Sequence, residues 1–236
     1  MTDLQDVPAE ARTSGRRRTL RDEQKEATRR KLLDAARVVF QERGFTAATI
    51  DDIVEGAGAS RGTYYLYFKN KSEVIAELAA EYQADAERLL ASLTELTDPT
   101  AADLRNWVQS YADLVATHRS TIRSWIQAES AAKDLRTASD AQMSGYLDSL
   151  ADWIGAVRTS RGLAEDPEVT RTRATALLLQ IERLCFFWLI RGWEMDRTIV
   201  VDVLADAWQS ALGTPAEAAP AKPSTRKATK KKRAAN

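Results

Sequence analysis

The chain has 236 residues, 44% of them hydrophobic and 29% charged, with 34 Lys/Arg balanced by 34 Asp/Glu, and this length suits either one large domain or a small domain plus a larger one. One cysteine, Cys185, excludes an internal disulfide framework and suits a reducing cytoplasm, and with one histidine, His118, it excludes a Cys/His zinc cluster within one chain. The zero net charge hides an asymmetry: residues 1–72 carry 14 Lys/Arg against 11 Asp/Glu, residues 73–212 carry 13 against 22, and residues 213–236 carry 7 against 1. A basic N-terminal part beside an acidic body suggests that one end faces nucleic acid.

Residues 1–22 are polar and irregular, with Arg12, Arg16, Arg17, Arg18 and Arg21. They read either as a disordered leader or as a basic arm reaching phosphates or a minor groove. They carry no apolar stretch of a secretory signal. A first helix is expected over 23–43, with Leu32, Leu33, Ala36, Val39 and Phe40 at helical spacing and Gly44 as its stop. Thr49 opens a short second helix, with Asp52 three residues on in a near capping box.

Ile53 and Val54 give that helix an apolar side, and Ala57 is small enough for a close helix crossing. Gly58 stands where the chain reverses and a positive φ is favoured. Ser60 then caps a third helix, expected over 60–68. This segment holds Arg61, Thr63, Tyr64, Tyr65 and Tyr67 within two turns, a density of phosphate- and base-reaching groups unusual for a structural helix. The pair reads as a helix-turn-helix DNA-binding module over 23–71. Arg61 is the candidate guanine reader, with Thr63 and Tyr64 able to touch a base edge or a thymine methyl. Tyr65, Tyr67 and Thr49 face phosphate, and Gly62 permits close backbone approach. Phe68 reads as core, as Leu66 and part of Tyr65 could be, and Lys69 reads either as a contact or as a solvated side chain.

Gly44-Phe45, Thr49, and Gly62-Thr63-Tyr64-Tyr65-Leu66-Tyr67-Phe68 followed by Asn70-Lys71 together resemble the TetR family of transcriptional regulators. The resemblance covers about the first third of the chain and is only architectural beyond residue 95. It implies that Lys71 contacts phosphate, that the chain dimerises, and that later helices enclose an inducer, whose identity does not carry over.

A fourth helix is expected from 72 to about 96, and further helices near 101–117, 120–131, 134–160, 167–192 and 196–212. Breaks fall at Gly162, Asp166-Pro167 and around Gly192. The fold class is therefore all-α: a small DNA-binding domain followed by a larger ligand-binding and dimerisation domain over 72–212. All six tryptophans lie in this larger part. Trp107, Tyr111, Trp125, Met143, Leu147 and Trp153 read either as ordinary core or as the lining of a cavity for a hydrophobic or amphipathic molecule. Excess apolar surface on the last two helices, including Leu177, Ile181, Leu184, Trp188, Val200, Leu204 and Trp208, suggests a homodimer interface. Leu184–Ile190 is too short to span a bilayer. Residues 213–236, rich in Ala, Pro and Lys, read as a disordered basic tail.

Catalytic chemistry finds little support. No H-E-x-x-H, Walker loop or nucleophile elbow is present. The run from Gly56 to Gly62 is spaced one residue too long for a dinucleotide loop and follows a helix instead of a strand. The expected protein is not an enzyme and takes no cofactor or metal. It binds an operator as a dimer, most simply as a ligand-released repressor. An activator, or a nucleoid-associated protein of low sequence preference, are the alternatives.

Overall fold

The computed structural model describes residues 20–213, so the expected basic tail, and the expected arm except Leu20, Arg21 and Asp22, lie outside the described residues. Within them the fold is all-helical: α1 (Leu20–Ala47), α2 (Ile50–Ala57), α3 (Arg61–Tyr65), α4 (Lys71–Thr94), α5 (Ala101–Thr117), α6 (Arg119–Ala131), α7 (Lys133–Ser160), α8 (Pro167–Cys185) and α9 (Arg197–Leu212). Helix α1 opens at Leu20, three residues before the expected start, so those last three residues of the expected arm are helical.

Local chemistry accounts for the boundaries. Gly44 breaks α1 at φ 74°, ψ 164°, and the helical hydrogen bonding resumes only as far as Ala47. Thr49 and Asp52 form a complete capping box at the start of α2, and Thr100 with Asp103 makes the same reciprocal pair before α5. Asp166 caps α8 with Pro167 at its first position, and Asp196 caps α9. The single helix expected over 167–192 instead stops at Cys185. There the bulky run Phe186–Ile190 winds into a π-helical turn, closed by the Arg191 N–H donating to the Phe186 carbonyl.

The described residues form two compact units. The first comprises residues 20–83 and 118–137, so α6 joins α1, α2 and α3 instead of belonging wholly to a later domain. Its core gathers Leu32, Ala36 and Phe40 of α1, Ile53 of α2, Tyr64 of α3, Val74 and Ile75 of α4, and Ala128 of α6. An Arg29–Glu77 ion pair ties α1 to α4, and the Phe45 N–H donates to Gln127 Oε1 at 2.8 Å.

The second unit comprises residues 84–117 and 138–213, with α5 packed along α9. Leu104, Leu150, Ile154, Ile181, Leu204 and Trp208 are buried there, and Trp107 stacks on Trp208 at 4.8 Å between ring centroids. A cluster of charged groups closes its far end. Glu165 accepts from Arg173 at 2.8 and 2.9 Å and pairs with Arg158 at 3.0 Å. Arg161 donates to the Gly213 and Pro99 carbonyls and to Asp98. No helix among the described residues is long and apolar enough to cross a membrane.

Candidate nucleic-acid interface

Helices α2 and α3 meet at a left-handed glycine. Gly58 takes φ 61°, ψ 35°, and its N–H and that of Ala59 bond back to the last carbonyls of α2. A side chain here would be strained, so the sharp turn depends on this glycine. The turn redirects the chain into α3, whose first N–H groups are satisfied by Ser60. Its hydroxyl accepts from the Thr63 N–H at 3.0 Å and lies 2.9 Å from the Thr63 hydroxyl.

The candidate contact residues then divide by face. Ser60, Arg61, Gly62, Tyr65 and Leu66 are exposed, Tyr65 by 54% and Leu66 by 81%, so Leu66 is not the core residue it resembled. Thr63 and Tyr67 are half-buried. Nothing crowds the space where a Cβ on Gly62 would sit, apart from the Ser60 hydroxyl at 3.6 Å. Arg61 is held by Asp51 through Nε and Nη2, the latter at 2.6 Å, and this keeps its guanidinium above its ordinary pKa.

Two expected contacts are corrected, those of Tyr64 and Lys71. Tyr64 is fully buried, with the Tyr65 ring edge-on to it and the Phe68 ring tilted against it, and its phenol is pushed upward in pKa chiefly by burial. Adjacent residues point about 100° apart around a helix, so Tyr65 can stay exposed while Tyr64 packs into the core with Phe68, four residues on. Lys71 reaches inward: its ammonium donates to the Phe45 and Ala48 carbonyls, closing the frayed end of α1, and desolvation lowers its pKa. Thr49 is exposed, and its hydroxyl accepts from the Asp52 N–H while keeping its own O–H to donate; the Thr49 N–H donates to Asp52, which also pairs with Arg43 at 2.7 Å. Those bonds, Thr49 first, hold the Asp52 carboxyl below its usual range. Asp51 and Gln127 were missed by the sequence reading. An acidic residue in the first turn of a helix is ordinary helix-end charge, and nothing local in sequence pairs Gln127 with Phe45.

The six candidate ligand residues are divided between the two units. Trp125 belongs to the first unit, where it packs on the core and donates its indole N–H to Glu129. Trp107, Tyr111, Met143, Leu147 and Trp153 belong to the second. Trp107 and Trp153 donate their indole N–H groups to the Leu89 and Leu96 carbonyls, which are structural ties. An open groove of about 1010 Å³ does run along α8, but its walls are Val169, Thr172, Ala176, Leu177 and neighbouring polar residues, with Ala211 of α9.

The proposed interface residues are mostly core as well. Ile181, Leu204 and Trp208 are fully buried, Leu177, Trp188 and Val200 nearly so, and Leu184 is half-buried. The large apolar residues exposed on the same helices are Val169, Leu179, Ile199 and Val203, with Ile199 63% and Val203 55% exposed. Both helices are apolar on more than one side, so their spacing alone does not separate the core-facing residues from the exposed ones.

The geometry defines an all-helical protein whose N-terminal unit presents a glycine-bent helix pair with a polar, aromatic outer side. Residues 32–78 match the family described as bacterial regulatory proteins, tetR family. The chain is 38% identical over 66 residues to the HTH-type transcriptional regulator YdgC of Bacillus subtilis, covering 28% of this chain and 34% of that protein. It is 28% identical over 185 residues to the HTH-type transcriptional regulator EthR of Mycobacterium tuberculosis, covering 77% and 85%. The first curated relatives are matched over only 25–44% of their length. Among solved structures, a TetR-like transcriptional regulator from Rhodococcus sp. RHA1 superposes with a TM-score of 0.55 at 23% identity, over 79% of this chain and 97% of the other. The family and these relatives are regulators of transcription and not enzymes.

Proposed function

We propose that this chain is a cytoplasmic, homodimeric, ligand-responsive regulator of transcription, most simply a repressor of a pseudo-palindromic operator. The observation that carries this is the α2–α3 pair: bent at a left-handed glycine, capped at both starts, with Arg61, Gly62 and Tyr65 left open to a major groove and Thr63 and Tyr67 at its edge. A two-fold dimer presents two such helices to successive groove faces about 34–36 Å apart. The exposed Leu179, Ile199 and Val203 supply the apolar contact between subunits. A hydrophobic or amphipathic effector in the second unit changes the inclination of α4, which is 24 residues and about 36 Å long and contributes residues to both units. Coupling of roughly 1–3 kcal/mol changes operator affinity about 5–150-fold.

The test is selection of bound duplexes from a random pool, followed by addition of metabolite fractions to the complex. A palindromic consensus released by one fraction is expected. Binding that shows no sequence preference at moderate salt refutes the operator reading and favours a nucleoid-associated role.

A further inference from the structure

Arg61 and Asp51 face each other across the turn, one from the first position of α3, the other from the first turn of α2. The carboxylate takes the guanidinium side-on, one oxygen accepting from Nε and the other from Nη2 at 2.6 Å. Arginine carries five N–H groups in a fixed fork. This arrangement uses the inner edge and leaves the outer edge, the Nη1 and remaining Nη2 hydrogens, facing away from the carboxylate. That outer edge is one an arginine can turn on guanine O6 and N7. Both side chains are 62% exposed, so the pair contributes little to folding, and helix capping is already served by Asp52. A carboxylate on a surface meant for phosphates also opposes non-specific binding. Its presence calls for a reason other than affinity.

We propose that Asp51 is a positioning residue that sets the base preference of this surface, holding Arg61 extended with its outer edge offered to a guanine. This rests on the regulator reading above. Fixing the arginine before contact removes most of the rotamer freedom that a long side chain would lose on binding. It also makes the alternative use of Arg61, swinging to a phosphate, compete with an existing bidentate pair.

The experiment uses the full chain and the duplex recovered by selection, with every position varied singly. Wild type, Arg61→Ala, Asp51→Ala and Asp51→Asn are compared by fluorescence anisotropy. Arg61→Ala is expected to flatten one guanine position in each half-site. Asp51→Ala is expected to flatten the same position, from roughly tenfold discrimination to about threefold or less, while binding to unrelated DNA stays equal or tightens. Asp51→Asn, which keeps an acceptor but loses the charge, is expected to fall between. If Asp51→Ala leaves that preference intact while Arg61→Ala flattens it, the inference fails and the regulator reading stands. A change at a different position means that Asp51 reads a base itself, and overturns the inference too. If the wild type shows no base preference anywhere, both fail together.

Discussion

The Lys71 ammonium lies 4.8 Å from the centroid of the Phe45 ring and donates to the carbonyl of that same residue at 2.8 Å. One side chain at the start of α4 thus ties down the broken end of α1, just before the cap of α2. Lys71→Met keeps the apolar stem and removes three donors. It is expected to lower stability by about 1–2 kcal/mol in urea unfolding. Operator binding should weaken through misplacement of α2, with the salt slope of binding unchanged, because the ammonium is not on a phosphate.

Tyr64 separates a packing role from a DNA-reading one. Its hydroxyl is buried without a hydrogen-bond partner among the described residues, so Tyr64→Phe is expected to change stability by no more than about 1 kcal/mol, in the favourable direction. Operator affinity should be unaltered. Tyr64→Ala opens a cavity and is expected to cost about 3–5 kcal/mol. A selective loss of DNA binding by the phenylalanine variant, with stability intact, contradicts the core assignment.

Glu165 gives the second unit an acid sensitivity. Its bonds to Arg173, and the nearby Arg158 charge, lower its pKa to about 2. The folded state therefore binds this proton less readily than the unfolded chain does. The stabilisation is fully present above the ordinary carboxylate value of 4.5 and is lost as pH falls toward 2. Glu165→Gln is expected to lower stability at neutral pH by on the order of 2 kcal/mol and to flatten the decline between about pH 5 and 2. Thermal unfolding across that range checks it.

The exposed apolar side of α9 is testable without disturbing the core. Ile199→Glu with Val203→Glu places two charges one helical turn apart where both side chains are more than half exposed. Helix content and monomer stability should hold within about 1 kcal/mol. Sedimentation should shift toward monomer, and operator affinity should fall with it. The same charges at Leu204 and Trp208 are expected to unfold the subunit, because both residues are buried within it.

Helix existence was readable throughout, since the punctuating signals are local. Thr49, Ser60, Asp166 and Asp196 each cap the N–H groups immediately after them, and Gly58 reverses the chain by its own backbone. The 3.6-residue period marks which helices are amphipathic, but not which apolar face meets the core when several are available, as on α8 and α9. Tyr64 and Tyr65 are adjacent tyrosines with opposite fates, and only the crossing of α1 and α4 decides which turns inward. Pairings over long separations, such as Arg29 with Glu77 or Phe45 with Gln127, leave no local trace.

The membership of α6 in the first unit bears on how the chain comes to be folded. Ala128 and Leu135 complete the apolar centre that α1, α2 and α4 begin, so this unit cannot close its core as soon as residues 20–83 leave the ribosome. It must await some fifty further residues of synthesis, and closing that long segment slows the step. The order of synthesis thus makes the support of the α2–α3 pair wait on a stretch, residues 84–117, that belongs to the other unit.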